Sequence, residues 1–349
     1  MTNGTQMLFD DEDVLHRSQF SELVRYSRPM LTAAGVATIL IMVVGIAGNL
    51  LTVIALLRNS KIRTVAAAFI ASLCISDLLF CLVVLPFAAS QFFLGTWIHG
   101  DILCYIIPMM RYGSVGVSLL SVATISINRY ILIAWPNQYT KIYTKTKVAF
   151  YISLIWLFSY GTQIPTLMGM WGVFGFDKKL GTCSIKKDQN GNSPKVALFV
   201  LGFVIPCLII VICYSKIYWV VHKSQKRLQQ HGSLMDTKRS EMRVTRMVLV
   251  IFFCFVICYL PLTLVKVFDG DVKYPAVHIL GYLLLYCAAC VNPVIYVTMN
   301  KQYRQAYFDT LKCRVGNSYD SNSPIQHHSK SIMSVMFAKH NTVSPNPKA

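Results

Sequence analysis

LTAAGVATILIMVVGIAGNLLTVIALL, residues 31–57, carries no charged side chain. A helix rises about 1.5 Å per residue, so crossing the apolar core of a bilayer takes about 20 residues. A run of this length that is apolar throughout is therefore predicted to form a transmembrane helix.

Six more runs of this kind follow, at residues 64–98, 102–128, 148–176, 196–215, 247–265 and 274–300. Only two of the seven contain a charge, Asp77 in the second run and Arg111 in the third. The chain is 54% hydrophobic and 14% charged, against roughly 45–50% and about 25% in soluble domains. The pattern predicts an all-α membrane protein, a seven-transmembrane helix bundle, and argues against a water-soluble enzyme.

Four regions follow from the position of these runs. Residues 1–30 are expected to form an extracellular N-terminus and residues 31–300 the seven-helix domain. Residues 301–313 carry the pattern of an amphipathic helix that lies in the membrane interface. Residues 314–349 are rich in Ser, Asn and Pro without apolar periodicity, so they are predicted to form a disordered cytoplasmic tail.

The formal net charge of +18 would suggest nucleic acid binding in a soluble protein, but here it separates by side of the membrane. Positive residues that flank membrane spans are retained on the cytoplasmic side. With the N-terminus outside, 22 of the 33 Lys and Arg residues fall on the inner side and 10 on the outer side. We therefore expect a multi-pass plasma-membrane protein with a cytoplasmic C-terminus and no nucleic acid partner.

Three covalent features follow from this orientation. Cys104 begins the third run on the outer side and Cys183 lies in the second outer loop, so they share an oxidising compartment and can form a disulfide. Asn3 begins an Asn-Gly-Thr sequon that an outside N-terminus would expose to glycosylation. Cys313, after the interfacial helix, is either a palmitoylation site or an unmodified thiol.

The two ionisable residues within the runs are functional candidates, because a charge at the centre of a membrane helix costs about 2.5–3.5 kcal/mol. Asp77 lies at the same predicted depth as Asn49, Ser118 and Asn292, and together these side chains can hold a sodium ion. The fork of Arg111 suits a carboxylate or phosphate and so an anionic or lipid ligand. The alternative is a structural arginine paired with backbone carbonyls or loop acids.

Motifs spread over all seven runs resemble those of the rhodopsin-class (class A) G-protein-coupled receptors. They are Gly48-Asn49, Leu73 with Asp77, Cys104 with Asn128-Arg129-Tyr130, Trp156, Pro206 with Tyr214, FVICYLP at residues 255–261, and Asn292-Pro293-Val294-Ile295-Tyr296. The resemblance implies a receptor, not an enzyme, that passes an extracellular ligand signal to a heterotrimeric G protein. It implies arrestin and a receptor kinase as further partners, and no cofactor beyond allosteric sodium.

The resemblance also places a ligand pocket at Arg111, Tyr112, Tyr259 and Gln91. Arg111 stands where amine receptors carry their ligand-binding aspartate, which disfavours a simple cationic ligand. Tyr259 replaces a usual tryptophan. Tyr286 stands where opsins carry the retinal lysine, so a visual pigment is excluded.

The activation switch implied by the family involves ten residues. They are Asn128, Arg129, Tyr130, Tyr214, Glu241, Phe255, Pro261, Asn292, Pro293 and Tyr296. Asn128 replaces the usual acid beside Arg129, so Glu241 is the expected partner of Arg129, unless it is a solvated helix-entry acid. Breaking that pair would release the sixth helix, after which Tyr214 and Tyr296 would approach Arg129.

Four segments are similar to the insect orphan receptors of the trapped-in-endoderm and Moody group, and we expect the trapped-in-endoderm branch to be the nearer. They are SINRY at 126–130, KLGTCSI at 179–185, VVHKS at 220–224 and MNKQYRQAY at 299–307. The group implies directed cell migration and cell polarity, with epithelial barrier formation as an alternative. A melatonin-like receptor shares the Asn-Arg-Tyr triplet but typically has Ala at Pro293, and a membrane transporter is the remote alternative.

Overall fold

The chain folds into a bundle of long helices. The computed structural model describes residues 26–177, 181–228, 235–269 and 272–312, with their side chains except at 61, 223–228, 235–241 and 267. The helices are α1 (Arg28–Arg58), α2 (Val65–Leu79, Phe80–Val84 and Leu85–Leu94), α3 (Gly100–Ala134), α4 (Lys145–Gly161), α5 (Lys195–Phe199, Val200–Val204 and Ile205–Leu228), α6 (Met235–Phe268), α7 (Pro275–Met299) and α8 (Lys301–Leu311). A short helix, Pro136–Ile142, connects α3 to α4.

Among the described residues, six helices are long and apolar enough to cross a membrane, namely α1, α2, α3, α5, α6 and α7. The seventh, α4, has 17 residues, so the predicted run 148–176 is too long. After α4 the chain makes a short helical turn at Ile164–Leu167 and then passes through Gly169 and Gly172, whose φ angles are 70° and 66°. Glycine tolerates this left-handed backbone, and the end of the run leaves the helix.

The residues after this turn form a β-hairpin across one end of the bundle, the hairpin end. Strand β1 (Val173–Asp177) pairs antiparallel with β2 (Thr182–Lys186). Cys183 of β2 forms a disulfide with Cys104 in the first turns of α3, with the Cα atoms 5.3 Å apart. The predicted cysteine pair is therefore confirmed, and it fixes the hairpin to α3.

Helix α3 is the central element of the bundle. It packs against α2, α4, α5 and α6, and its residues Val117, Leu119, Val122 and Ile125 have no exposed surface. Because α3 contacts four other helices, a side chain on α3 can interact with several of them.

Glycines allow close approach of helices, as small residues commonly do in membrane bundles. A Cβ atom added to Gly113 of α3 would lie 2.4 Å from the Tyr160 ring of α4. Likewise a Cβ at Gly48 of α1 would lie 2.9 Å from Pro293 of α7. Gly48 and Pro293, which belong to motifs quoted above, therefore contribute to helix packing.

Two proline-containing helices are widened just before their prolines. The segments Phe80–Val84 and Val200–Val204 are π-helical and precede Pro86 and Pro206. A proline lacks the N–H of a regular helix, and its ring clashes with the preceding turn. A wider turn before the proline relieves that clash, and α2 and α5 both use this form.

Helix α8 begins directly after α7 and packs against α1 and α7. Tyr303 and Tyr307 are buried on its inner face, and the Tyr307 hydroxyl bonds to the Thr52 hydroxyl of α1. Phe308 and Leu311 remain exposed. A helix with this distribution suits a membrane interface.

We predict that Gly113→Ala destabilises the purified protein. The new methyl group would displace the Tyr160 ring, whose hydroxyl bonds to Ser114 and whose ring stacks on Trp156. We expect a loss of about 1–3 kcal/mol, measured as a lower unfolding temperature in nanodiscs. Gly202→Ala is the matched control, because a Cβ there meets nothing within 4 Å. Equal unfolding temperatures for the two variants would contradict the packing described.

Candidate functional site

A cavity of about 910 Å³ lies beneath the hairpin. Helices α3 to α7 and the hairpin all contribute to its wall. The residues that line its apolar interior include Val115, Leu120, Phe158, Leu198, Phe199, Leu201, Phe203, Leu262 and Leu285. Both the volume and this lining are typical of a small-molecule site.

The charged residues around the cavity are mostly basic. Those with a full positive charge are Arg111, Lys186, Lys187, Lys195 and Lys266, and the two acids are Asp177 and Asp269. Asp269 also contacts His278, with 3.2 Å between the carboxylate Oδ2 and the imidazole Nε2. The electrostatic potential of the cavity therefore favours an anion.

Arg111 is the most deeply buried of these charges, with 6% of its surface exposed. One guanidinium nitrogen donates a hydrogen bond to the carbonyl oxygen of Cys183 at 2.8 Å. The guanidinium also lies 5.4 Å from the centre of the Tyr112 ring. Both sequence-based interpretations of Arg111 thus find support, since it holds a backbone carbonyl and also lines the cavity.

Tyr112 and Tyr259 line the cavity as the sequence predicts. The Tyr112 hydroxyl lies 3.3 Å from the Ser184 hydroxyl of β2. The Tyr259 ring stacks on the Phe255 ring, with the ring centres 3.9 Å apart. Tyr259 therefore connects the wall of the cavity to the core of α6, two residues before Pro261 in the same helix.

Gln91 does not line this cavity. Its amide nitrogen donates to the carbonyl oxygen of Gly181, and its amide oxygen accepts a hydrogen bond of 3.1 Å from Thr182. It borders a much smaller space between α2, α7 and the hairpin. Gln91 therefore lies apart from the cavity that Arg111 lines, because the hairpin approaches α2 and takes up both ends of the Gln91 amide. Its place in the ligand pocket stays a prediction.

Below the cavity, Asp77 links three helices. Its Oδ1 accepts a hydrogen bond from the Ser118 hydroxyl at 2.9 Å, and its Oδ2 accepts one from the Asn292 amide at 2.8 Å. Asn49 does not join this cluster. Its amide nitrogen donates to the carbonyl oxygens of Gly45 and Ala289 at 2.9 and 2.7 Å, and so ties α1 to α7.

Arg129 lies at the opposite end of α3 from the hairpin and is 5% exposed. The neighbouring Asn128 donates an amide hydrogen bond to the Tyr139 hydroxyl of the connecting helix at 3.1 Å. The Tyr130 ring contacts the Trp135 ring edge-on, with the centres 5.3 Å apart.

The predicted approach of Tyr214 and Tyr296 to Arg129 concerns activation, and the two hydroxyls differ in their contacts in the present structure. Tyr214 of α5 donates to the carbonyl oxygen of Thr245 on α6 at 2.8 Å. The buried Tyr296 hydroxyl finds no hydrogen-bond partner in the described part of the chain. The structure therefore ties α5 to α6 through Tyr214. Glu241 belongs to α6, but its side chain lies outside the described residues, as do Asn3 and Cys313.

These features are those of a known family, whose model, "7 transmembrane receptor (rhodopsin family)", matches residues 48–296. The chain is a rhodopsin-family receptor. Squid rhodopsin has the same fold, with a TM-score of 0.74 and 24% sequence identity over 92% of this chain and 93% of that one. The receptor is thus a multi-pass protein of the plasma membrane, in a family that signals through G proteins.

The receptor is also similar to two curated insect proteins. It is 46% identical to the G-protein coupled receptor Moody of Drosophila melanogaster, over 83% of this chain and 52% of Moody. It is 38% identical to Protein trapped in endoderm-1 of the same species, over 79% of this chain and 76% of that protein. The predicted group is confirmed, but the expected order within it is reversed. The receptor spans about half the length of the Moody proteins that it matches.

Several residues of the receptor's cavity were not predicted from the sequence. Ser159 and Gln163 reach it from α4 and the turn after α4, and Lys266 and His278 reach it from α6 and α7. Ser159 and Gln163 stand four positions apart in an uncharged run, a spacing that places them on one helical face. That spacing was a usable signal. No comparable sequence signal marks the basic residues of the cavity. Their positions depend on the course of the hairpin and of the α6–α7 connection.

The Asp269 carboxylate is held in its charged form by donors around it. The backbone N–H groups of Tyr274 and Lys273 donate to it at 2.9 and 2.7 Å. The N–H of Tyr274 has the largest effect, and Lys273 and His278 act in the same direction, so the pKa of Asp269 is lowered. A lowered pKa keeps this carboxylate charged at neutral pH, where it offsets part of the positive charge near the cavity mouth.

Proposed function

We propose that the receptor is activated by an anionic amphiphile and transmits this signal to a heterotrimeric G protein. The observation that supports the proposal is the combination of Arg111 with an apolar cavity. The charged head of the ligand, a carboxylate or a phosphate, would contact the guanidinium of Arg111. Its apolar part would fill the space between α3, α4, α5 and α6.

The charge around Arg111 supports an anion over a cation. Lys186, Lys187 and Lys195 stand at the hairpin side of the cavity, and Lys266 lies 5.0 Å from the centre of the Tyr282 ring. A cationic ligand would be repelled by these groups. A neutral ligand would leave the buried guanidinium with less compensation than an anion would.

The proposed orientation places the hairpin end outside and Arg129 inside. Its support is the excess of Lys and Arg expected on the inner side, 22 against 10. The same basic inner surface suits anionic lipid and a G protein, and the Ser and Thr residues of the tail suit a receptor kinase and arrestin. Resemblance to the insect group supports a role in directed cell migration and polarity or in epithelial barrier formation.

Activation would exchange one set of contacts for another. In the present arrangement the Tyr214 hydroxyl holds the backbone of α6 at Thr245, and Tyr259 connects α6 to the cavity wall. A ligand that displaces Tyr259 would bias α6 away from α5 and free Tyr214 for Arg129. Glu241, near the start of α6, is the proposed counter-charge that opposes this step.

The cluster at Asp77 is the proposed site of an allosteric sodium ion. The residues fit such an ion, because the carboxylate has lone pairs beyond the two that accept hydrogen bonds, and the Ser118 and Asn292 side chains add oxygens. The ion would supply positive charge that offsets Asp77 between α2, α3 and α7.

We predict that sodium chloride raises the unfolding temperature of the receptor in nanodiscs relative to choline chloride at equal ionic strength. Asp77→Asn should abolish this difference, because the amide carries no charge. Ser76→Ala is the control, since the Ser76 hydroxyl bonds to the Ser114 carbonyl and not to Asp77. If the wild-type protein unfolds at the same temperature in both salts, the sodium proposal fails.

For the ligand, we predict that stearate and stearoyl glycerol phosphate bind the receptor and raise nucleotide exchange on a responsive member of a G-protein panel. Stearylamine, with the same chain and the opposite charge, should do neither. Arg111→Met should weaken binding of the anions by about tenfold to a hundredfold, because it removes charge-assisted hydrogen bonds. The affinity of Arg111→Lys for the anions should lie between those of the wild-type protein and Arg111→Met, because lysine keeps the charge without the planar fork of the guanidinium.

Lys273→Met is the matched control, since it removes a positive charge near the same end from a residue that does not line the cavity. All variants are compared at equal labelling of an N-terminal epitope on intact cells, which also reports the orientation. Equal binding of stearylamine, or unchanged binding after Arg111→Met, would contradict the proposed ligand class. Absence of epitope labelling without permeabilisation would contradict the orientation.

A further inference from the structure

The α4 side of the cavity carries two buried polar groups that lack a hydrogen-bond partner among the described residues. Ser159 and Gln163 are 4% and 3% exposed, and both line the cavity. The Ser159 hydroxyl and the Gln163 amide oxygen have no hydrogen-bond partner among the residues that the structure describes. The amide nitrogen of Gln163 is engaged, since it donates to the Thr162 hydroxyl at 3.2 Å.

Buried polar groups are nearly always hydrogen-bonded, because desolvation without a partner is unfavourable. Here a hydroxyl that can donate and accept and an amide oxygen that accepts stand four positions apart in the chain, and the interior of the cavity that both residues line is largely apolar. The pair therefore has the chemistry to bind a group that both donates and accepts. A ligand hydroxyl meets that description, and so does a water molecule.

The position of the pair indicates which part of a ligand it meets. A Cβ atom added to Gly116 of α3 would lie 3.1 Å from the Ser159 hydroxyl oxygen. Gly116 is five positions after Arg111 on the same helix, which corresponds to about 7.5 Å at the rise of an α-helix. Ser159 thus lies deeper than Arg111, at the level of Gly116, which lines the cavity together with the apolar Val115. The body of an amphiphile bound at Arg111 would run past this level.

We infer that Ser159 and Gln163 form a second polar subsite, which recognises a hydroxyl on the apolar chain of the anionic ligand. The ligand hydroxyl donates to the amide oxygen of Gln163 and accepts from the hydroxyl of Ser159. This inference rests on the proposed function, because Arg111 supplies the other end of the ligand. The ligand class becomes a hydroxylated acyl chain with a carboxylate or phosphate head.

The test compares three probes on the full receptor in nanodiscs: stearate, stearate with a mid-chain hydroxyl, and stearate with a mid-chain ketone. In the wild-type protein the hydroxyl should improve the dissociation constant about tenfold over stearate. The ketone oxygen accepts a hydrogen bond but cannot donate one. Its smaller gain in affinity over stearate should therefore depend on Ser159 alone. A phosphate-headed pair, with and without the chain hydroxyl, shows which head the site prefers.

The variants are Ser159→Ala and Gln163→Met, with Ser121→Ala as the matched control. Ser121 is a buried serine of α3 whose hydroxyl also lacks a partner in the described structure, but it does not line the cavity. Ser159→Ala should remove the advantage of both the hydroxyl and the ketone. Gln163→Met should reduce the advantage of the hydroxyl and leave that of the ketone unchanged, and neither variant should alter binding of stearate itself.

Each outcome separates this inference from the proposed function. If stearate binds in an Arg111-dependent manner and the hydroxyl adds nothing, the subsite is overturned, its occupant is water, and the proposed function stands. An advantage of the hydroxyl that persists in Ser159→Ala and Gln163→Met also overturns the subsite. If none of the anionic probes binds, both the proposed function and the subsite that rests on it are wrong.

Discussion

A guanidinium buried between membrane helices must find its partners within the protein, and for Arg111 one of them is the carbonyl oxygen of Cys183. That carbonyl is held in place because Cys183 is covalently tied to Cys104 on the same helix as Arg111. The hairpin is held a second time where Gln91 of α2 bonds to Gly181 and Thr182. The roof of the cavity and the charge within it are therefore fixed together.

The same constraint acts deeper in the bundle, where buried polar groups need hydrogen-bond partners within the protein. Asp77 joins α2 to α3 and α7, and Asn49 joins α1 to α7. The exceptions are informative. Several buried polar atoms have no hydrogen-bond partner among the described residues, and they include those of Ser159 and Gln163 at the cavity and the Tyr296 hydroxyl near the switch region. At these three positions a ligand or a second conformation would supply the partner.

Much of this arrangement could be predicted from the sequence, because helix formation in a bilayer depends on local composition. The apolar runs gave the seven helices, the outer-side cysteines gave the disulfide, and the two charges within the runs gave Asp77 and Arg111. The structure departs from the sequence-based expectations where tertiary contacts determine the position of a residue. The run 148–176 leaves the helix at a turn with two left-handed glycines, and Gln91 is captured by a hairpin whose course no periodicity reveals.

We propose that the positive charge in this cavity selects the ligand. The decisive measurement is to purify the receptor and Arg111→Met from the same cells in parallel and to identify the small molecules that remain bound, by mass spectrometry. We expect an amphiphile with a carboxylate or phosphate head that is enriched with the wild-type protein and depleted with the variant. A cationic or uncharged molecule retained equally by both proteins would contradict it.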